Sequence, residues 1–246
     1  HGLATAYYLA TRHGITDVAV LERGYIGSGN SGRNTTIIRA NYGIPEAVRF
    51  YQRSVDLYQG LEEETDRDLM HSQKGLLWIA HSEMGVRAEH ARAEVNTAFG
   101  ARTVFVTPGE IKEICPQIDI TGAGLWPVHG ASYYPEGATA RHDRVVWALA
   151  EGAMERGAHV HQRTEVNGLT MEGDRVTGVE TSAGHISAGT VVCAVGGHVT
   201  RIATMAGLRL PVRTHPLQAF VTNHYQLQFD PIIASGDLMF YASQTA

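Results

Sequence analysis

Only two cysteines, Cys115 and Cys193, occur in the 246 residues. They make neither a disulfide framework nor a thiolate metal cluster, and this scarcity fits a reducing compartment, the cytoplasm. No apolar run approaches the ~20 residues of a bilayer-spanning helix. Positive charge is not in surplus either: 20 Lys and Arg stand against 25 Asp and Glu, for a formal net charge of −5. With no basic stretch to follow a phosphate backbone, nucleic acid is not an expected partner. The chain has no nucleophile elbow, no P-loop and no paired-cysteine zinc signature. His159 and His161 fall on one strand face but find no third ligand, so no metal site is expected. An initiating methionine is missing as well. The chain opens on His1 and Gly2 and goes straight into a helical pattern, as expected of a window cut from a longer protein, and no targeting signal can be read on it.

What is present suits a folded globular protein. The composition is 43% hydrophobic and 18% charged, enough to build a core. Length alone suggests one large domain or two smaller ones. Residues 3–12 read as a helix capped by Gly14, and Thr16–Leu21 as a strand. Thr35–Arg39 reads as extended. A helix over 46–61 presents Ala47, Phe50, Tyr51, Tyr58 and Leu61, with Val55 and Leu57 at its edges, and the acidic patch after it reads as a solvated helix end. Leu76–Ala80 is strand-like, 83–98 helical and Thr103–Val106 strand-like. Thr107, Pro108 and Glu110 form the signature of a capped helix start. Residues 123–134 look like a strand pair and 140–155 like a longer helix. Short strand patterns follow at 158–162, 164–170, 175–181, 184–187 and 190–195, and the tail 210–241 is again strand-like.

Four segments carry chemistry. Gly2 before a helix, with Glu22 after the next strand, has the spacing of a dinucleotide fold: the glycine packs helix on strand and the acid bonds a ribose hydroxyl. The loop Gly27–Arg39 (GSGNSGRNTTIIR) has amides and small side chains for a phosphate or flat ring, and Arg33 and Arg39 as carboxylate forks. By composition alone, a flexible surface turn with two solvated arginines is the plainer reading. In Gly137–Asp143 (GATARHD), His142 falls in the first turn of a helix, where free amides favour a neutral imidazole; a half-exposed helix-end histidine is the plainer reading. Finally, VVCAVGGH (191–198) is either a buried strand whose Gly196 and Gly197 admit a cofactor or a plain core strand with a turn.

In this order, together with PVRTHPLQ (211–218), these motifs resemble the FAD-dependent amine and D-amino-acid oxidase family. Within it, the resemblance is to the branch of β subunits of heterotetrameric sarcosine oxidases. It implies an α/β fold in which a Rossmann-like FAD domain of the glutathione-reductase type (1–73 and 136–208) is interleaved with a β-rich substrate domain (74–135 and 209–246). Both would be incomplete, with the first strand missing. By resemblance, Gly2 is the third glycine of the FAD fingerprint and Glu22 the ribose acid. Asn30, Ser31, Gly32 and Thr35 cover the pyrophosphate and flavin ring. Val166 meets adenine through its backbone, and Gly196 and Gly197 form the turn beside the phosphates. The catalytic assignment falls on Arg39, as anchor of the substrate carboxylate.

The resemblance also implies non-covalent FAD, FMN bound covalently at His142, and α, γ and δ partner subunits. Sarcosine would be demethylated to glycine, with formaldehyde or, through tetrahydrofolate, methylene-tetrahydrofolate, and with O2 reduced to H2O2. The rivals are an FAD-only amino-acid oxidoreductase, such as a glycine oxidase or dimethylglycine dehydrogenase, and a non-catalytic flavin-binding or assembly subunit. A nicotinamide-only dehydrogenase is disfavoured by the Gly27–Arg39 loop.

Overall fold

A computed structural model of the chain describes residues 1–223 and 226–244. In chain order the elements are α1 (Gly2–His13), β1 (Ala19–Leu21), β2 (Ile37–Ile38), α2 (Pro45–Thr65), β3 (Ser72–Gln73), β4 (Leu76–Ala80) and α3 (Glu83–Ala98). Next come β5 (Val104–Val106), α4 (Pro108–Ile114), β6 (Gly130–Tyr134), β7 (Ala138–Thr139), α5 (His142–Met154) and β8 (His159–His161). The chain ends with β9 (Val166–Glu172), β10 (Arg175–Thr181), β11 (Gly184–Ser187), α6 (Val199–Met205), β12 (Ile232–Ser235) and β13 (Phe240–Ala242).

Contacts divide the chain into two interleaved units. The first comprises His1–Asn34 and His142–Phe220, the second Thr35–Arg141 and Val221–Ala246. By compactness, residues 35–73 and 136–141 group with the second unit and residues 209–220 with the first. For 35–73 and 136–141 the strands explain why: β2 and β3 both pair with β7, Ile37 with Thr139 and Ser72 with Thr139.

In the first unit β1 lies parallel to β8, Ala19 opposite His159. The helices α1 and α5 pack together, with Ala6, Tyr7 and Ala10 buried on one and Val145, Ala148 and Leu149 on the other. Gly14 ends α1 in the left-handed conformation (φ 64°) that glycine adopts without steric cost, its N–H bonded to the Leu9 carbonyl. Strands β9, β10 and β11 form an antiparallel meander.

The second unit is built on a five-stranded mixed sheet in the order β13-β12-β4-β6-β5, with β12 parallel to β4 and the other pairs antiparallel. Its core joins Leu77 and Ile79 of β4, Val106, Ile111, Cys115 and Ala131. Thr107 and Glu110 close the expected capping box of α4, each side chain bonding the other's backbone N–H.

Several expectations are corrected. Residues 123–129 form no strand; β6 stands alone there and pairs with the distant β4 and β5 rather than with a local partner. Residues 190–195 form no strand either. An apolar run of this kind needs a neighbour to pair with, and here Cys193 and Val192 are exposed with no ladder alongside among the described residues. Of the tail, only β12 and β13 are strands; His224 and Tyr225, within that expectation, lie outside the described residues. Extension over Thr35–Arg39 shrinks to Ile37–Ile38 because Thr36 turns to φ 62°. On α2 the buried residues are Val48, Val55 and Leu61, while Phe50 faces solvent. The acidic patch is not simply solvated, since Glu62 Oε1 accepts the backbone N–H groups of Leu69 (2.8 Å) and His71 (3.2 Å).

Candidate functional site

In the first unit, the glycine positions and Glu22 gather around the start of α1 and the end of β1. The first intrahelical bond of α1 runs from Thr5 N–H to the His1 carbonyl, and His1 supplies no side-chain cap. A helix start points its first N–H groups along the axis with the positive end of the helix dipole behind them, the arrangement that suits an anion. A Cβ on Gly2 would touch Ala194 at 3.6 Å and Val20 at 3.9 Å, so the helix start lies against the VVCAVGG segment. A Cβ on Gly196 would sit 3.3 Å from Asn30 Nδ2, and one on Gly32 only 2.3 Å from the Gly27 carbonyl oxygen. Gly197 offers its carbonyl to the Thr214 hydroxyl at 2.8 Å. Gly2, Asn30, Gly32, Gly196 and Gly197 therefore lie in stretches of one unit where side chains are small, and at Gly32 the neighbour is backbone. Ser31 lies within the same short helical turn, Asn30–Gly32.

Glu22 follows β1 directly, as its spacing predicts. Its Oε1 accepts from Gly24 N–H (2.7 Å) and the Ser28 hydroxyl (3.2 Å), so this oxygen is fixed while Oε2 has no partner among the described residues. Backbone bonds knit this turn to the strand exit of β8: Glu22 N–H to the His161 carbonyl, Arg163 N–H to Gly24 and Thr164 N–H to Glu22. Val166 begins β9 two residues beyond Thr164 and is half-buried. The ribose acid and the adenine-side backbone expected from the sequence are thereby brought to one edge.

His142 is the first residue of α5, and its Nδ1 is buried without a hydrogen-bond partner. One turn further, Val146 is the side chain that a Cβ on Gly27 would meet, at 3.3 Å. Positions i and i+4 share a helix face, so His142 lies on the α5 face turned toward the glycine-rich loop.

Thr35 and Arg39 belong to the second unit. The Thr35 carbonyl accepts the Thr36 hydroxyl at 2.6 Å. Arg39 leaves β2 and lays its guanidinium 4.1 Å above the Tyr42 ring centre and 5.0 Å from that of Trp78. It donates only through Nη1, to the Asn41 carbonyl (3.2 Å) and Asn41 Oδ1 (3.1 Å), and among the described residues it has no carboxylate partner. Its Nε/Nη2 edge, one of the two that can take a carboxylate in bidentate fashion, makes no hydrogen bond among the described residues. Burial and the like charge of Arg92 lower its pKa, partly offset by Tyr42 and Tyr51.

Three residues beside it carry no sequence signal. Asn41 is fully buried; because Oδ1 accepts from Arg39, Nδ2 is the unpartnered donor. Trp78 on β4 keeps a buried Nε1–H without an acceptor. Arg92 on α3 stacks on Trp78 at 4.6 Å and donates to the Asn41 carbonyl at 3.3 Å. Buried donors outnumber acceptors here, which suits an anion.

Residues 1–246 match the family described as "DAO: FAD dependent oxidoreductase". Sarcosine oxidase subunit beta from Arthrobacter sp is 45% identical over 244 residues, covering 99% of this chain and 60% of that protein. The protein of the same name from Rhizobium meliloti (strain 1021) is 43% identical, covering 100% of this chain and 59% of that one. The crystal structure of L-proline dehydrogenase from P.horikoshii superposes with a TM-score of 0.83 at 30% identity, over 96% of this chain and 61% of that one. The chain thus spans about three-fifths of the length of these relatives.

Proposed function

The chain belongs to the family of FAD dependent oxidoreductases, and from that premise we propose that its full-length protein oxidatively demethylates sarcosine as the β subunit of a multi-subunit oxidase. The observation that carries the reading is the uncommitted edge of Arg39. A half-buried guanidinium without a counter-ion, set on an aromatic floor beside the unpartnered Asn41 Nδ2, is a receptor for the carboxylate of an amino acid. The likeness to sarcosine oxidase β subunits supports an N-methylated substrate.

The residues fit FAD. The start of α1 and the glycines at 2, 32 and 196 would hold the pyrophosphate, with Asn30, Ser31 and Gly197 beside it. Glu22 would take a ribose hydroxyl on Oε2, and the backbone at Val166 would face adenine. Thr35 would border the ring. His142 fits as the attachment point of a covalent FMN, its buried Nδ1 being unsatisfied. The chemistry that bound flavin supplies is two-electron oxidation: a hydride equivalent leaves the N-methyl carbon, and the electrons end on O2 as H2O2. Hydrolysis of the resulting imine releases glycine and formaldehyde, or the carbon passes to tetrahydrofolate. Arg39 holds the carboxylate throughout, so the amine nitrogen is presented in one orientation and reacts as the neutral amine. The reading includes α, γ and δ subunits as partners and two interleaved domains, one for FAD and one for substrate.

The test is Arg39→Ala in the full-length complex. Loss of sarcosine turnover with a KM raised at least about tenfold, the worth of one charged hydrogen bond, is expected at unchanged flavin content. Unchanged turnover and KM overturn the assignment.

A further inference from the structure

Arg39 is one half of a pair. Arg92 reaches the same Asn41 carbonyl from α3, with Nη1 at 3.3 Å against 3.2 Å for Arg39 Nη1, and both guanidinia stack on Trp78. The two are otherwise treated differently. Arg92 gives its Nε to Glu89 Oε2 at 2.8 Å, and the same oxygen accepts the Ser132 hydroxyl at 2.6 Å. Glu89 is 4% exposed and Ser132 fully buried, so this carboxylate is fixed from the core side and fixes Arg92 in turn. Arg39 has no such partner. Within the cluster, one positive charge is balanced by Glu89 and one is left over.

Resting on the carboxylate-anchor reading above, we propose that Arg92 is a positioning residue for Arg39, and that the Glu89–Arg92 pair makes the receptor specific for a single carboxylate. Arg92 and Glu89 hold the Asn41 carbonyl and the Trp78 ring in place. Arg39 Nη1 is then confined to Asn41, and its Nε/Nη2 edge is the one presented to the ligand. Because Glu89 neutralises Arg92, a ligand with one carboxylate completes the charge balance, and a second carboxylate finds no free cation in the cluster. The substrate class is therefore a monocarboxylic amino acid.

The experiment is calorimetric titration of the full-length holoenzyme with acetate and malonate, alongside steady-state kinetics. The parent protein is expected to bind acetate more tightly than malonate. Removing Arg92 alone strands a buried carboxylate, so the informative variant is the double change Glu89→Gln with Arg92→Met. With flavin content and Tm retained, its acetate Kd and its KM are expected to rise about tenfold, the worth of one charged hydrogen bond, and kcat to stay within about twofold. The single change Glu89→Gln releases the charge of Arg92 and is expected to shift preference toward malonate. Arg39→Ala separates the two claims. If it abolishes acetate binding while the double variant binds like the parent, the positioning role is wrong and the anchor stands. If Arg39→Ala binds acetate like the parent, the anchor itself is wrong. An unchanged acetate-to-malonate ratio in Glu89→Gln overturns the charge-balance argument.

Discussion

The Glu22 carboxylate and the Ser28 hydroxyl stand 3.2 Å apart, and the same oxygen takes the Gly24 N–H at 2.7 Å. The acid is thereby anchored by its own loop, and among the described residues its other oxygen makes no hydrogen bond. Glu22→Ala is expected to weaken FAD binding by about ten- to a hundredfold, the range for a hydrogen bond to a charged group. Ser28→Ala, which only loosens the anchor, is expected to weaken it less. Titration of the full-length apoprotein with FAD, followed by quenching of flavin fluorescence, gives both constants. Equal affinities in parent and Glu22→Ala would remove Glu22 from the site.

Gly32 needs its missing side chain for space, since a Cβ there falls 2.3 Å from the Gly27 carbonyl oxygen. That neighbour is backbone and yields only if the loop reshapes. Gly32→Ala is expected to cost about 1–3 kcal/mol, the usual penalty of overpacking, and to lower the FAD occupancy of purified protein. Ser31→Ala, in the same turn, serves as the control with near-parent stability. Thermal melts and the ratio of flavin to protein absorbance measure the two effects. A Gly32→Ala protein with parental melting and occupancy would show that the loop has room to move.

How much of this was legible depends on whether the signal was local. The helix of Gly2–His13, the cap at Gly14, the capping box at Thr107 and Glu110 and the acid at Glu22 follow from neighbours a few residues away, and they stand where the spacing puts them. Strands whose partners come from elsewhere were less readable. VVCAV has the composition of a buried strand, yet no ladder runs beside it among the described residues. Gly130–Tyr134 is a strand because β4 and β5, not residues 123–129, lie beside it. Arg39 was readable from its motif. Trp78 and Arg92 were not, because only the folding of β4 and α3 around Arg39 makes them its neighbours, and Asn41, two residues on in the chain, carries no signal of its burial there. An arginine on a helix and a tryptophan on a strand are ordinary residues until that happens.

His71 gives a pH dependence with a definite sign. Its Nε2 is buried without a partner, and burial lowers its pKa from the usual 6.5, partly opposed by the charge of Glu62. The folded state thus binds fewer protons than the unfolded state, so the contribution is fully present above 6.5 and is lost as pH falls through the lowered folded value. His71→Gln is expected to flatten the fall in Tm between neutral and mildly acidic pH, with little change at alkaline pH. Melting curves of parent and variant across that range test it. Parallel curves would mean that His71 titrates alike in both states.

The last prediction concerns His142. It opens α5, at the positive end of the helix dipole. A neutral ring nitrogen is the form that can act as a nucleophile toward a flavin, and the buried Nδ1 has nothing else to bond. Acid precipitation of the full-length complex is expected to leave yellow colour in the pellet from FMN and to release FAD into the supernatant. His142→Ala is expected to lose the pellet colour and keep the released FAD, because its change falls outside the Gly27–Arg39 loop proposed to hold the dinucleotide. The fold should tolerate the change, since His142 is the first residue of α5 and the buried apolar face of that helix begins only at Val145. Colour surviving in the His142→Ala pellet would move the attachment to another residue. A colourless pellet from the parent would leave FAD as the sole flavin and favour the single-cofactor amino-acid oxidoreductases as the better comparison.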